Sequence, residues 1–456
     1  MKNMTLANIA AACNGRYIGS EADREREVSE VVIDSRAAKE GSLFVAIRGE
    51  RVDAHRFIPA VFAQGALCVI CEEAPESPAG ACIVVESSLQ AIKDIAEFYR
   101  KQLNLKVVGI TGSVGKTSTK EIIASVLSEK YQVLKTQKNF NNELGLPLTV
   151  FRLREEHEIA VLEMGINHFG EMHRLSKIAR PDVAVITNIG ECHLEFLGDR
   201  DGVLRAKSEI FDFLTKDGTV ILNGDDDKLA SVKEVHGKKT VFYGCQEKDG
   251  IYADQIEYLG LRGVKCCIHM EDEAFEVMIP IPGYHMVLNA LAAATVGHAF
   301  GLTKEEIARG IEKLETLDGR MHLIEQNGLT VIDDCYNANP VSMKSSLRVL
   351  SNAPGRKIAV LGDMGELGED EIALHREVGA FAAEVGIDLL LCVGTLSKEL
   401  VQEAADRNPK LQTIWAVDTE EALQKLQSFG LKEGDYILVK ASHFMHFEKL
   451  VSDLTK

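Results

Sequence analysis

The chain alternates between short apolar runs and longer stretches in which apolar residues recur every three or four positions, and this rhythm repeats along most of its length. Near the start, Val31-Val32-Ile33 and Leu43-Phe44-Val45-Ala46-Ile47 have strand character, while the segment ending in Ile92 to Leu103 has helical spacing. Residues 1–103 are therefore expected to form a small α/β domain. From Leu105 the pattern becomes regular. Val107-Val108-Gly109-Ile110 predicts a buried strand, a glycine-rich loop follows, and Ser118 to Lys130 carries Ile122, Ile123, Val126 and Leu127 on one helical face. Further strands are expected at Ile159-Ala160-Val161-Leu162, Val183-Ala184-Val185-Ile186 and Thr219-Val220-Ile221-Leu222, separated by helical segments, which is the pattern of parallel βαβ units.

Residues 240–280 predict shorter alternating strands, and two helices fill the stretch from about His285 to Leu314. Asp318-Gly319-Arg320 then breaks the pattern, so a second α/β domain is placed at 104–317 and a third at 318–456. In the third, strands at Thr330-Val331-Ile332, Ile358-Ala359-Val360-Leu361, Leu389-Leu390-Leu391-Cys392-Val393 and Tyr436-Ile437-Leu438-Val439 alternate with helices and imply another doubly wound sheet. Ligands of such sheets sit at the carboxyl ends of the strands.

Composition narrows the possible partners. The net charge of −18, from 51 basic and 69 acidic side chains, opposes a broad interface with a nucleic-acid backbone. An anionic ligand must then be held by a local site. No apolar run reaches the length of a membrane span, and Met1-Lys2-Asn3-Met4-Thr5 does not open a secretion signal, so a cytoplasmic protein is expected. Among ten scattered cysteines, Cys68-x-x-Cys71 alone has a zinc-like spacing. It lies in the apolar run Ala66-Leu67-Cys68-Val69-Ile70 with no second pair to complete a site, which favours buried, reduced cysteines.

The glycine-rich loop carries the first chemistry. In Gly112-Ser113-Val114-Gly115-Lys116-Thr117, followed by Ser118, glycines let backbone N–H groups approach phosphate oxygens, Lys116 adds a point charge, and the Thr117 hydroxyl is a magnesium ligand. The strict phosphate-loop motif places a glycine five positions before Gly115, where Ile110 stands, so the form present is the shorter Gly-x-x-Gly-Lys-Thr. Two further candidates follow strands: Glu163 after the strand ending at Leu162, and His193 after a strand ending near Ile189. Lys207, in Arg205-Ala206-Lys207-Ser208, has the spacing of a solvated helical residue, and nothing local gives it a role.

Taken together, these stretches resemble the Mur ligase family of amide-forming enzymes. The resemblance spans the chain: the phosphate loop, Asn139-Phe140-Asn141-Asn142-Glu143, Glu163-Met164-Gly165, Asn188-Ile189-Gly190 through His193, Ala206-Lys207, Asn289 through Ala293 and Gly319-Arg320. It implies three α/β domains: a small N-terminal domain for a UDP-sugar substrate, a central P-loop ATPase-type parallel sheet, and a C-terminal Rossmann-like domain for the incoming dipeptide and part of ATP. It also implies ATP with two magnesium ions, Thr117 and Glu163 serving one and His193 with a carbamylated Lys207 the other. Lys116, Lys207, His193 and Arg320 become the expected catalytic residues. Asn289, Arg320, Asp334, Tyr336 and Asn337 join the loop as expected ATP contacts.

Asp333-Asp334-Cys335-Tyr336-Asn337-Ala338-Asn339-Pro340 and Gly362-Asp363-Met364-Gly365-Glu366-Leu367-Gly368 resemble the branch of the family that joins D-alanyl-D-alanine to UDP-N-acetylmuramoyl-tripeptide. Ser35, Arg36, Asp53, His55, Asn141, Asn142, Asn339 and His443 are the implied substrate contacts, and a monomer is expected. Three residues depart from the family pattern: Ala54 for a frequent glycine, Met286 for an asparagine after His285, and His443 for an arginine. A histidine cannot supply the permanently charged fork of an arginine. The rival readings are a sister ligase or folylpolyglutamate synthetase-like enzyme, and an ATP-dependent conformational switch.

Overall fold

The apolar runs become strands because they are covered on both faces, and the helices between them supply the cover. The computed structural model describes residues 1–49, 52–74, 76, 79–271 and 273–456. Among the described residues three large sheets follow one another, with a separate two-stranded ribbon in the central region. The first contains β1 (Arg16–Ile18), β2 (Glu30–Val32), β3 (Ser42–Val45), β4 (Cys68–Cys71) and β5 (Ala81–Val84) in the order β1-β5-β4-β3-β2. Cys68 and Cys71 are fully buried within β4, as their apolar surroundings imply.

The central region contains β6 (Lys106–Thr111), β7 (Val133–Lys135), β8 (Ile159–Glu163), β9 (Val183–Ile186), β10 (Thr219–Asn223), a small ribbon of β11 (Glu234–Val235) and β12 (Lys238–Lys239), then β13 (Val241–Gly244), β14 (Ile251–Tyr258), β15 (Val264–Met270) and β16 (Glu273–Ile279). Nine of these form one sheet in the order β16-β15-β14-β13-β10-β9-β6-β8-β7. The short strands expected over 240–280 thus extend the sheet that carries the phosphate loop. β14 joins it in parallel, and β15 and β16 close it as an antiparallel ribbon.

The third sheet holds β17 (His322–Gln326), β18 (Leu329–Asp333), β19 (Lys357–Gly362), β20 (Leu389–Val393), β21 (Gln412–Ala416) and β22 (Tyr436–Lys440) in the order β17-β18-β22-β19-β20-β21. β17 is antiparallel and forms a hairpin with β18; the other pairings are parallel. β17 and β21 are half-exposed edge strands, so neither shows the uninterrupted apolar run that marks the central strands.

Helix Tyr284–Ala299 is apolar around most of its circumference because it is enclosed, packing against both helix Lys116–Leu127 and the central sheet. Leu291 and Val296 are fully buried there, each worth about 2 kcal/mol. Two strand ends differ from expectation. Glu163 is the last residue of β8 instead of the first beyond it. β9 ends at Ile186, and His193 lies in the loop beyond, with φ 53°, at the start of the one-turn helix Leu194–Leu197.

Candidate active site

β6 sits between β9 and β8, where the strand order reverses direction, so the crevice at its carboxyl end is the natural ligand position of this sheet. The loop leaving β6 fills that crevice. Gly112 has φ 152°, and a β-carbon there would stand 1.9 Å from Thr187 Oγ1, so glycine is required by conformation and by space. Residues following β9 brace the loop: Val114 N donates to Asn188 Oδ1 at 2.8 Å, Thr187 Oγ1 donates to the Val114 carbonyl at 2.7 Å, and Gly190 N donates to Ser113 Oγ at 2.8 Å. Gly115 begins helix Lys116–Leu127 with no side-chain cap, leaving the helix N–H groups for an anion. Lys116 Nζ curls back onto the Gly112 carbonyl at 2.7 Å.

The loop separates two cavities. One, of about 810 Å³, is lined by Val114, Gly115, Ser118, Asn289, Arg320 and Asp334. The other, of about 570 Å³, is lined by Ser113, Lys116, Thr117, Asn141, Asn142, Glu163, His193, Tyr336, Asn337 and Asn339. Arg320 borders both, its guanidinium 4.1 Å above the Tyr336 ring. Asn289 accepts a hydrogen bond from Thr119 Oγ1 at 3.0 Å, and its amide contacts Met286 Sδ at 3.4 Å, which is the local consequence of methionine at that position.

Lys207 differs most from its local spacing. It is fully buried in helix Arg200–Ser208, and its Nζ has no hydrogen-bond partner. Burial lowers its pKa to about 8, with the nearby positive charge of Lys116 acting in the same direction. Glu163 is also buried. Its Oε1 accepts from Asn141 Nδ2 at 2.8 Å, while Oε2 has no hydrogen-bond partner and lies 3.9 Å from Lys120 Nζ. His193 Nδ1 is 2.7 Å from Oε2 of Glu366, in the loop after β19, but off the angle of a hydrogen bond.

The remaining expected contacts divide between the cavities and the surface. Asp334 lies under the larger cavity as a buried hub: Lys440 Nζ and Ser346 Oγ both donate to its Oδ2 at 2.6 Å, and Met321 N donates to its Oδ1. Tyr336 and Asn337, expected with the nucleotide, line the smaller cavity. His443 is exposed and lines neither, its ring 5.5 Å from that of Tyr336. Ser35, Arg36, Asp53 and His55 also line neither cavity. His55 is held by Asp53 Oδ1 at 2.6 Å and by Glu72 N, which donates to its Nε2 at 3.0 Å. Arg36 pairs with Asp34 and pulls that carboxyl down to about 2.

Two participants had no local signal. Lys120, one turn after Lys116, is almost fully buried and pairs with Glu121 at 2.9 Å. Glu366 reaches the site from the loop after β19, in a left-handed conformation with φ 60°.

The architecture has clear relatives. Residues 27–111 match the Mur ligase family catalytic domain, 110–297 the Mur ligase middle domain, and 319–443 the Mur ligase glutamate ligase domain. The UDP-N-acetylmuramoyl-tripeptide–D-alanyl-D-alanine ligase of Bacillus subtilis is 37% identical over 465 residues, covering 100% of this chain and 99% of the relative. Its counterpart in Escherichia coli is 35% identical, covering 87% of each. The crystal structure of MurF from Acinetobacter baumannii superimposes with a TM-score of 0.90 at 35% identity, covering 99% of this chain and 98% of that one. MurF ligase from Thermotoga maritima in complex with ADP gives 0.82 at 32% identity, covering 93% and 96%. With a braced phosphate loop between two cavities and full-length relatives above 30% identity, the chain belongs to the Mur ligase family.

Proposed function

We propose that this chain is an ATP-dependent ligase that joins D-alanyl-D-alanine to UDP-N-acetylmuramoyl-tripeptide in peptidoglycan precursor synthesis, acting as a cytoplasmic monomer. The supporting observation is the pair of buried polar atoms without hydrogen-bond partners: Glu163 Oε2, on a residue that lines the smaller cavity, and Lys207 Nζ, which lines neither cavity but feels the charge of Lys116 in the phosphate loop. Groups buried in this way cost about 1–3 kcal/mol each unless a ligand satisfies them. Among the described residues, no helix is long and apolar enough to cross a membrane.

In this reading ATP occupies the larger cavity, with its phosphates along the loop toward the smaller one, where the terminal carboxylate of the tripeptide lies. Arg320, bordering both cavities, would span the path of the γ-phosphate. A carboxylate oxygen attacks the γ-phosphorus and ADP leaves. The dipeptide amine then attacks the acyl phosphate carbon, phosphate departs, and the amide remains after loss of the amine protons. Direct attack on the carboxylate would require expulsion of oxide, and phosphorylation supplies a better leaving group. Lys116 exchanges its Gly112 carbonyl partner for phosphate oxygens, and the loop N–H groups hold the charge that develops.

The donor set suits magnesium: Thr117 and Glu163 present oxygens, His193 a ring nitrogen, and Lys207 a carbamate once its amine has taken up carbon dioxide and lost a proton. Bound there, magnesium would neutralise phosphate charge. Burial supports carbamylation, because a pKa near 8 leaves roughly a quarter of the amine neutral at pH 7.5, against about 0.1% at the ordinary 10.5. Asn141 steadies Glu163, while the pairing of Lys120 with Glu121 keeps a cation near its free oxygen.

Phosphate release with ATP and magnesium tests the reading, with the UDP-linked tripeptide and the dipeptide supplied separately and together. Release requiring both, with formation of the UDP-linked pentapeptide, is expected. Release indifferent to both would identify a nucleotide-driven switch instead.

A further inference from the structure

Well away from the phosphate loop, three different metal-competent side chains meet on the ribbon that closes the central sheet: Asp254 on β14, and Cys267 and His269 on β15. β14 is four strands from β6, about 19 Å at the usual strand spacing. The antiparallel register sets Asp254 opposite Cys267 and Tyr252 opposite His269. Alternate residues share a face, so the three side chains stand together while Cys266 turns into the core. One donor atom from each lies within 4.8 Å of the other two, and all three residues are half-buried. The His269 ring is oriented by stacking on Tyr252, at 4.4 Å between centroids and 5° between planes, and its Nε2 lies 2.9 Å from Asp254 Oδ1.

We propose that Asp254, Cys267 and His269 form a binding site for a borderline-soft divalent cation, for which zinc is the best match. Thiolate, imidazole and carboxylate are the donors that zinc accepts together, whereas magnesium and calcium take mostly oxygen ligands and bind a thiolate poorly. Tetrahedral zinc with bonds of about 2.0–2.3 Å holds its ligands roughly 3.3–3.8 Å apart, so small side-chain rotations within the observed cluster suffice. The cation replaces the proton between His269 and Asp254 and displaces the thiol proton of Cys267. A fourth position falls to water or to Glu276, which stands opposite Cys267 on β16 and pairs with Lys265 at 2.9 Å.

The site has a structural consequence. The β14–β15 ladder shifts register between Asp254 and Glu257, and β14 ends at Tyr258, a wall residue of the larger cavity. A cation bound by both strands clips the ribbon beside that irregularity and stiffens the wall. The site does not depend on the ligase reading.

The test is a Co²⁺ titration of chelator-treated, full-length protein in excess Mg²⁺, which leaves the oxygen-rich loop site to the hard cation. One equivalent of Co²⁺ should produce a near-ultraviolet thiolate-to-cobalt charge-transfer band with tetrahedral visible bands, all displaced by one equivalent of Zn²⁺. Cys267→Ser should abolish the charge-transfer band, and His269→Ala should weaken Zn²⁺ binding at least 10-fold. Cys245→Ser, at a free half-buried cysteine outside the cluster, should retain both signals. Cys267→Ser should keep the unmodified protein's ATP-dependent turnover, which shows that it is folded. Should it fail to fold, Asp254→Asn should weaken Zn²⁺ binding at least 10-fold, and unchanged affinity would overturn the proposal. Absence of the band would leave only a histidine–aspartate pair, a band that survives Cys267→Ser would place the thiolate elsewhere, and either result would overturn the proposal.

Discussion

Replacing Lys207 with methionine should stabilise the protein while removing its activity. The lysine side chain is fully buried, and its amine has no partner. Its pKa falls from 10.5 to about 8 because burial disfavours the charged form. At 1.36 kcal/mol per unit, the folded state bears a penalty of about 3 kcal/mol when the amine is protonated. The sign follows from linkage: the folded pKa is depressed for a base, so the penalty is complete below pH 8 and disappears as pH rises toward 10.5. In chelator-treated, carbon dioxide-free buffer at pH 7, Lys207→Met should unfold at higher urea than the unmodified protein, by about 3 kcal/mol. The difference should shrink strongly by pH 10. Activity should move the other way, falling at least 10²-fold, because the carbamate and metal contact proposed at this position would be lost. An unchanged or lower midpoint at pH 7, or a difference independent of pH, would refute the reasoning about an unpaired buried amine.

Other perturbations test separate parts of the site. Gly112→Ala forces a β-carbon to 1.9 Å from Thr187 Oγ1 at a φ that suits glycine, so affinity for a non-hydrolysable ATP analogue should fall more than 10-fold by calorimetry. Arg320→Lys removes the planar group that lies over Tyr336 and borders both cavities; turnover should fall roughly 10²-fold with little change in thermal midpoint. Lys440→Met leaves Asp334 buried without its cation, and denaturant titration should record a loss of about 3–5 kcal/mol. Glu163→Gln keeps the shape and the Asn141 contact but removes the charge, so Mn²⁺ affinity measured by paramagnetic resonance should drop at least 10-fold.

The sequence by itself determined the succession of elements and the phosphate loop. Apolar runs at Val107–Ile110, Ile159–Leu162 and Leu389–Val393 specify buried strands because such runs are stable only with cover on both faces. Gly112 and Gly115 mark the loop through a requirement of backbone conformation, which is a local property. Weakly patterned edge strands such as β21 escaped the same reading, since half of each is solvated. Tertiary structure decided the rest. Lys207 has the spacing of a solvated helical residue, yet burial turns it into an unpaired amine near Lys116 and Cys192. Arg320 and Tyr336, 16 residues apart, become a stack between two cavities only when the third sheet packs against the central one. Lys440 finds Asp334 across 106 positions of sequence, and Glu366 finds His193 from the loop after β19. Asp254 meets Cys267 and His269 only through strand register. Periodicity encodes which face of an element is apolar; charge, coordination and pKa depend on what lies opposite that face, and folding supplies it.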